Sequence, residues 1–384
     1  MKIALFDYRI TRHNPAGSCH LRMLERVCFE HEFTVFSVEF ENPCPERIRW
    51  VRIPAPLRPL ALLFVCFHIL APLYYAWHRV FRSARFDLVQ FVESNLTFGD
   101  IVYAHSCHRM FLQRYWGEVG AKGLRGAARW LDHWLHARLE PRAYRKAQCI
   151  VVPSHGFARE LSETYPFAAA KIRVLANPVD TQALRCPPDF DRSNVRKSLK
   201  LSASDIAVAF VALGHYELKG LPLLLDALAK SDDRRLKLLV VGGSPSLVGE
   251  YRKRADQRGL NGNVTFLGNQ KDVRPYLWAA DALAHPSRHE VFPLATLEAA
   301  AAGLPLLVTR LNGVEEFFRD GENGLLLQRD EQSITESLAR FAQIPTGLRH
   351  AMGHLAQASV QQYNSAEFAR NWSNFYAEVA ARDR

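Results

Sequence analysis

Apolar residues in this chain fall into short continuous runs and helical stripes that alternate. The run at Lys2–Tyr8 predicts a strand, and Leu21, Leu24, Val27 and Cys28 then recur at helical spacing. Further strands are predicted at 33–40, 87–92, 100–104, 150–152 and 171–175. A helix over 130–144 carries Trp130, Trp134, Leu135 and Leu139 on one face. These runs are unbroken rather than alternating, which marks strands covered on both faces, as in parallel sheets. The pattern restarts with Ile206–Leu213, then a helix at 221–229, strands at 236–241, 264–267, 282–285 and 306–309, and helices at 276–280 and 294–302. This predicts an α/β fold of two Rossmann-like domains facing across a cleft. The first domain is expected to span 1–176 and the second 205–365. A polar, proline-containing linker at 177–204 lies between them. The last helix, 366–384, with Phe368, Trp372, Phe375, Tyr376 and Val379, is expected to pack back on the first domain.

One segment changes that picture. Pro59–Trp77 holds no Asp, Glu, Lys or Arg and is followed by Arg79, Arg82 and Arg85. Its length approaches the ~20 residues that span a bilayer, but His68 and Pro72 interrupt its middle. Three readings stand: a transmembrane helix, a buried core helix, or a helix partly in the core and partly on a membrane surface. Tyr74, Tyr75 and Trp77 beside the arginines have the composition expected of the third.

Charge points the same way. Of the net +10, residues 1–190 carry most, with 25 Lys and Arg against 17 Asp and Glu. A basic first half suits an anionic partner, either lipid headgroups or nucleic acid. Nucleic acid is disfavoured, because Arg252–Lys253–Arg254 reads as an exposed helix face and no binding motif appears. The 7 cysteines are odd in number and none forms a C-x-x-C pair, so reduced thiols in a cytosolic protein are expected. The N-terminus reads as a first strand, not a signal peptide.

The chemistry concentrates at Glu290–Val291–Phe292–Pro293–Leu294 and at Glu298, followed by Ala299–Ala302, Gly303 and Pro305. Glu290 falls in a loop after a strand and Glu298 inside the next helix. The first N–H groups of that helix have no intrahelical acceptor and can hold an anion. Two glutamates so spaced would ordinarily be solvated charges, but the residues around them argue otherwise. The run E-V-F-P-L-A-T-L-E-A-A-A-A-G-L-P resembles the E-x7-E signature of glycosyltransferase family 4. Other motifs follow the same family's order. Gly214–Gly220 resembles its G-R-L…K-G loop. Val264–Gly268, Asn312–Glu316 and Asp320–Leu325 resemble further loops and strand ends. Val152–Ser154 and Asn177–Asp180 precede the linker.

The resemblance implies the GT-B fold and retaining transfer of a sugar from a nucleotide-sugar donor to a hydroxyl, with no metal and no other cofactor. It implies that Lys219 neutralises the diphosphate and that Glu290 binds donor-sugar hydroxyls. Glu298 would bind the ribose, and the loop of Phe292, Pro293 and Leu294 would touch sugar and phosphate through nearby backbone N–H groups. Leu267 or Gly268 would meet the base, and Gly214 and His215 would lie by the phosphates. The family's arginine is replaced by His215, so either the diphosphate makes that histidine cationic or another cation, such as Arg288, helps, and the loop is one residue shorter. In the first domain His105 occupies the position of a histidine that contacts the donor sugar, and Gly17 fits a backbone approach to donor or acceptor. His108 reads as a satisfied strand-end histidine, and His105 and His108 with Cys107 between them make poor zinc spacing.

The expected acceptor is a lipid-linked or cell-surface glycan such as lipopolysaccharide, exopolysaccharide or a glycolipid. The enzyme is expected at the cytoplasmic face of the membrane, with peripheral contact to anionic lipid through the first domain. The alternatives are a non-catalytic basic membrane-binding module of the same fold, a nucleotide-sugar epimerase or phosphorylase, and a metal-dependent GT-A transferase. The one Asp-x-Asp triplet, Asp189–Asp191, sits in the expected linker with no strand before it.

Overall fold

The first apolar run becomes strand β1 (Lys2–Phe6), buried at every position after Lys2. In the computed structural model, which describes residues 1–12, 14–118 and 123–382, eight more strands follow in the first half. They are β2 (Arg9–Ile10), β3 (Glu32–Ser37), β4 (Glu39–Phe40), β5 (Ile48–Arg52), β6 (Leu88–Val92), β7 (Ile101–Tyr103), β8 (Cys149–Val152) and β9 (Ile172–Val174). Seven of them form one sheet in the order β5-β3-β1-β6-β7-β8-β9, all parallel, and β2 pairs with β4. Helices α1 (Pro15–Val27), α2 (Leu60–Phe81), α3 (His108–Arg114), α4 (Gly123–Lys146) and α5 (His155–Thr164) cross between them. Helix α1 starts at Pro15, so Gly17 lies in its first turn. Asn14 caps it by accepting the Gly17 N–H at 3.3 Å.

The second half repeats the plan. After α6 (Arg192–Ser198), strands β10 (Ile206–Val211), β11 (Leu236–Val241), β12 (Val264–Gly268), β13 (Ala282–His285), β14 (Leu306–Val308) and β15 (Gly324–Leu326) form a parallel sheet in the order β12-β11-β10-β13-β14-β15. Helices α7 (Tyr216–Lys219), α8 (Leu221–Lys230), α9 (Pro245–Gln257), α10 (Arg274–Ala279), α11 (Leu294–Ala301), α12 (Glu331–Gln343) and α13 (Thr346–Ser359) surround it. Its core joins Phe210, Leu225, Val240, Ala284 and Leu307.

The chain divides into two units, Met1–Pro178 with the segment from Ser365, and Val179–Asn364. The last helix, α14 (Ser365–Arg382), therefore belongs to the first unit. There Trp372, Tyr376 and Val379 are fully buried, and Tyr376 donates to Gln90 Oε1 at 2.7 Å. The polar stretch expected to link the domains is ordered on the second unit instead. Arg192 and Arg196 of α6 hold Asp281 at 2.8 and 3.1 Å, and Asp281 also accepts the Ala207 N–H at 2.8 Å. Asp189 to Asp191 precedes α6, and Asp191 caps it by accepting the Asn194 N–H. No disulfide joins any of the seven cysteines.

Helix α2 is long and apolar enough to cross a membrane. It runs unbroken through Pro72 and buries Leu63, Phe64, Phe67, Ala71 and His78. The Phe67 ring meets Tyr8 at 4.8 Å, and Tyr75 meets Phe6 at 5.7 Å. His68 turns inward, with Nε2 2.9 Å from the Ser94 carbonyl. The other face is also apolar: Leu62, Val65, Ile69, Leu73, Trp77 and Val80 are all exposed. Their spacing of three and four residues places them on one stripe.

The anchoring of α6 predicts that Asp281→Ala, which strips Arg192 and Arg196 of their counter-charge, lowers unfolding stability by about 3 kcal/mol in urea titration. A loss below about 1 kcal/mol would show that α6 is not built into the second unit.

Candidate functional site

In a parallel sheet, ligands sit beyond the carboxyl ends of the strands where the strand order reverses. In the second sheet that reversal lies between β10 and β13, which pair directly. The loop after β10 carries Gly214, His215 and Lys219, and the loop after β13 carries Ser287 and Glu290, so the topology alone makes them neighbours.

The two loops are stitched together. The Arg288 N–H donates to the Leu218 carbonyl at 2.8 Å. Gly220 has φ +83°, and a Cβ there would lie 2.3 Å from the Pro286 carbonyl oxygen. Only glycine lets the first loop close on the second. His215 also takes a left-handed conformation, is exposed, and accepts the Lys219 N–H at 2.9 Å.

Lys219 Nζ donates to Glu290 Oε1, which also meets His285 Nε2 at 2.9 Å and Ser287 Oγ at 3.0 Å. Burial, the largest influence on Glu290, acts to raise its pKa. The Lys219 ammonium, followed by the His285 hydrogen bond, outweighs it and holds the carboxyl well below the usual glutamate range. Glu290 is therefore a fixed anion clamped by one cation. The sequence pointed to Lys219 and Glu290 but not to His285, whose signal was its position at the end of an apolar strand five residues before Glu290.

The other residues expected to meet the donor lie elsewhere on the second unit. Glu298 is half-buried on α11, whose first turn begins at Leu294 with Pro293 before it. Phe292 is buried beneath Gly313, where a Cβ would lie 2.4 Å from its ring. Its side chain braces the loop against the turn at Gly313. Leu267 and Gly268 end β12, two strands from β10, and their carbonyls accept from Gln270 Nε2 at 2.7 Å and the Gly242 N–H at 2.8 Å.

His105 and Gly17 belong to the first unit. Gly17 is buried in α1, with no room for a Cβ, which would meet the Arg9 carbonyl oxygen at 2.1 Å. Its need for glycine is met by this helix–strand packing. The His105 ring packs on Tyr103 at 4.1 Å and its Nε2 has no hydrogen-bond partner. Burial, then the nearby His20, pushes His105 down to about 3, so the ring is neutral.

His105 sits near a polar cluster that the sequence did not announce. The first sheet reverses order between β1 and β6, and there Asp7 Oδ2 lies 3.1 Å from His20 Nδ1. Glu93, left-handed at φ 51°, accepts from His108 Nε2 at 2.9 Å. His108 Nδ1 meets His133 Nδ1 at 2.9 Å, and His136 Nδ1 meets Ser94 Oγ at 2.8 Å. Burial acts to lower the His108 pKa, but Glu93 outweighs it and the value rises. His136 is driven well below its ordinary value by burial and then by His108.

Glu93, His108 and His136 bring potential metal ligands within 4.8 Å of one another. The His108 and His136 rings, however, stack at 13° with centroids 4.4 Å apart. Their in-plane lone pairs run parallel and do not converge on one ion. Each ring is already engaged by a hydrogen bond, so the group reads as a proton-sharing network. His105 is not part of it.

Two family models match the chain. "Glycosyltransferase Family 4" covers residues 22–183 and "Glycosyl transferases group 1" covers residues 206–343. A D-inositol 3-phosphate glycosyltransferase of Jonesia denitrificans is 29% identical over 69% of this chain and 68% of its own length. The lipopolysaccharide core biosynthesis glycosyltransferase LpsE of Rhizobium meliloti is 33% identical over 48% of this chain, which spans half the length of that relative. Among solved structures, WaaG, a glycosyltransferase involved in lipopolysaccharide biosynthesis, superposes with a TM-score of 0.75 at 20% identity, covering 97% of this chain and 99% of that one. The likeness establishes the fold as two Rossmann-like α/β domains of the GT-B type.

The depressed pKa of Glu290 has a thermodynamic consequence. Its stabilisation is complete above its ordinary value of 4.5 and is lost as pH falls towards the depressed one. In denaturant titrations, wild type is expected to exceed Glu290→Gln in stability at pH 7, with the gap closing below about pH 4. A gap constant from pH 7 to pH 3 would contradict the clamp.

Proposed function

The chain belongs to glycosyltransferase family 4, and from that premise we propose that it moves a sugar, with retention, from a nucleotide-sugar donor held by the second unit to a hydroxyl of a lipid-linked or cell-surface glycan. The observation that carries this reading is the Lys219–Glu290–His285 cluster where β10 and β13 part. As the bond from the anomeric carbon to the donor phosphate breaks, the electron pair leaves on the diphosphate. Lys219 is the cation poised to meet that charge, joined by the N-terminal amides of α11. Glu290, kept ionised, accepts hydrogen bonds from donor-sugar hydroxyls, and Glu298 accepts them from the ribose. His215 and Gly214 frame the phosphates, and Leu267 and Gly268 border the base. In the first unit a neutral His105, its Nε2 unpartnered, suits a hydrogen bond to the sugar better than an ion pair.

The acceptor class follows from the lipopolysaccharide relatives and from α2. The helix leaves an apolar stripe uncovered on a unit rich in arginine. A sugar acceptor carried on a lipid brings the enzyme to a bilayer, and the stripe suits peripheral contact there. Seven cysteines that form no disulfide are consistent with the cytoplasmic face.

Lys219→Ala and Glu298→Ala are each expected to cut acceptor-dependent consumption of a radiolabelled nucleotide sugar at least about 100-fold, Glu298→Ala with little change in melting temperature and Lys219→Ala with a lower one, because it leaves the buried Glu290 carboxylate without its cation. Wild-type turnover in either variant would overturn the assignment, and vesicle binding without turnover in the wild type would favour a non-catalytic module.

A further inference from the structure

The first sheet has a second edge, remote from the carboxyl ends of its strands. At the amino ends of β1, β3 and β5 and the turn before β6 lies a cavity of about 1040 Å³ whose walls include Arg47, Arg49, Arg82, Arg85 and Phe29. Substrate sites of parallel sheets lie at the opposite edge, so this cavity is separate from Asp7, Glu93 and His108. Its walls hold five cationic and three acidic side chains. Two of the acids are engaged, Glu32 with Lys2 at 3.8 Å and Glu46 with the Cys44 thiol at 3.3 Å. Arg47 lies over the Phe29 ring at 4.9 Å. Arg49, Arg82 and Arg85 make no ion pair among the described residues. The charges of Arg49 and Arg82 converge on His78, adding to burial in lowering its pKa.

The cavity opens where α2 ends. Arg82 sits over the Trp77 ring at 5.2 Å. Val80 and Phe81 are 69% and 73% exposed, the largest exposures among the large apolar side chains of the helix. The apolar stripe of α2 therefore runs directly into a pocket of uncompensated guanidinium groups. Guanidinium forks match phosphate oxygens, and an apolar ridge beside them is interfacial chemistry. The apolar tip favours a lipid over a nucleic acid, which would leave Val80 and Phe81 in water.

We propose that this cavity is a binding site for the phosphate of an anionic phospholipid headgroup, with Arg49, Arg82 and Arg85 as its ligands and Val80 and Phe81 in the acyl boundary. The site rests on the membrane reading of α2 and adds to it a defined lipid chemistry. It fixes the end of α2 that lies at the amino edge of the sheet. The other end, near the strands' carboxyl ends, is left beside the polar cluster.

The test is sedimentation of the full chain with vesicles of phosphatidylcholine alone and of phosphatidylcholine with about one third phosphatidylglycerol. Wild type is expected to bind the mixed vesicles at least about tenfold more tightly, and Arg49→Ala/Arg82→Ala to lose that increment. Arg252→Ala/Lys253→Ala removes the same charge from an exposed face of the second unit and is expected to keep it. Ile69→Ser/Leu73→Ser is expected to weaken binding to both vesicles while keeping the increment. Wild type that binds neither vesicle overturns the membrane reading itself. Wild type that binds, with the increment intact in Arg49→Ala/Arg82→Ala or lost equally in Arg252→Ala/Lys253→Ala, overturns the cavity alone. So does protection of the wild type against heat by soluble glycerol phosphate without any vesicle increment, which would mark a site for free phosphate.

Discussion

A carboxylate drawn out of water at the end of an apolar strand stays ionised only if a cation faces it, and at Glu290 that cation is Lys219. The pair depends on everything beneath it. Gly220 lets the loop after β10 touch Pro286, the Arg288 amide ties the two loops, and His285 and Ser287 meet the same carboxylate oxygen as Lys219. The ammonium is thus held in place by protein groups. In the proposed reaction an incoming diphosphate finds this charge preorganised rather than recruited from solvent, which is where electrostatic catalysis gains most.

The same constraint acts twice. A parallel sheet covered on both faces has no room for polar groups except at its strand ends, and the reversal of strand order opens the space there. The second sheet uses it for Lys219 and Glu290. The first sheet uses it for Asp7 with His20 and for Glu93 with His108. Glu93 holds a left-handed backbone that a glutamate avoids, a local strain that the surrounding hydrogen bonds support. These groups lie in separate units, and each owes its geometry to its own sheet.

The strands were legible because their apolar runs are long and unbroken, and so were Lys219 and Glu290, because glycine, proline and acidic positions recur in a fixed order around them. What stayed hidden depends on partners distant in sequence. Arg192 and Arg196 read as a polar linker, since nothing local says that Asp281 waits 85 residues away. Glu93 and His136 are ordinary residues until β6 and α4 meet. Strand β5 alternates with Arg49 and Arg52 at a sheet edge and lacks the apolar run that marked the others. Helix α2 is the clearest case. Its buried and exposed stripes are equally apolar, so hydropathy shows a lipophilic segment but not which face the sheet covers. Proline at position 72 also misleads, because the helix continues through it.

The central claim is that protein charge alone, led by Lys219, holds a nucleoside diphosphate on the second unit. Calorimetric titration of the full chain with UDP, GDP and ADP in the presence of a chelator tests it most directly. The account predicts saturable binding of one of the three without any divalent ion. Binding that appears only when magnesium or manganese is restored would contradict it.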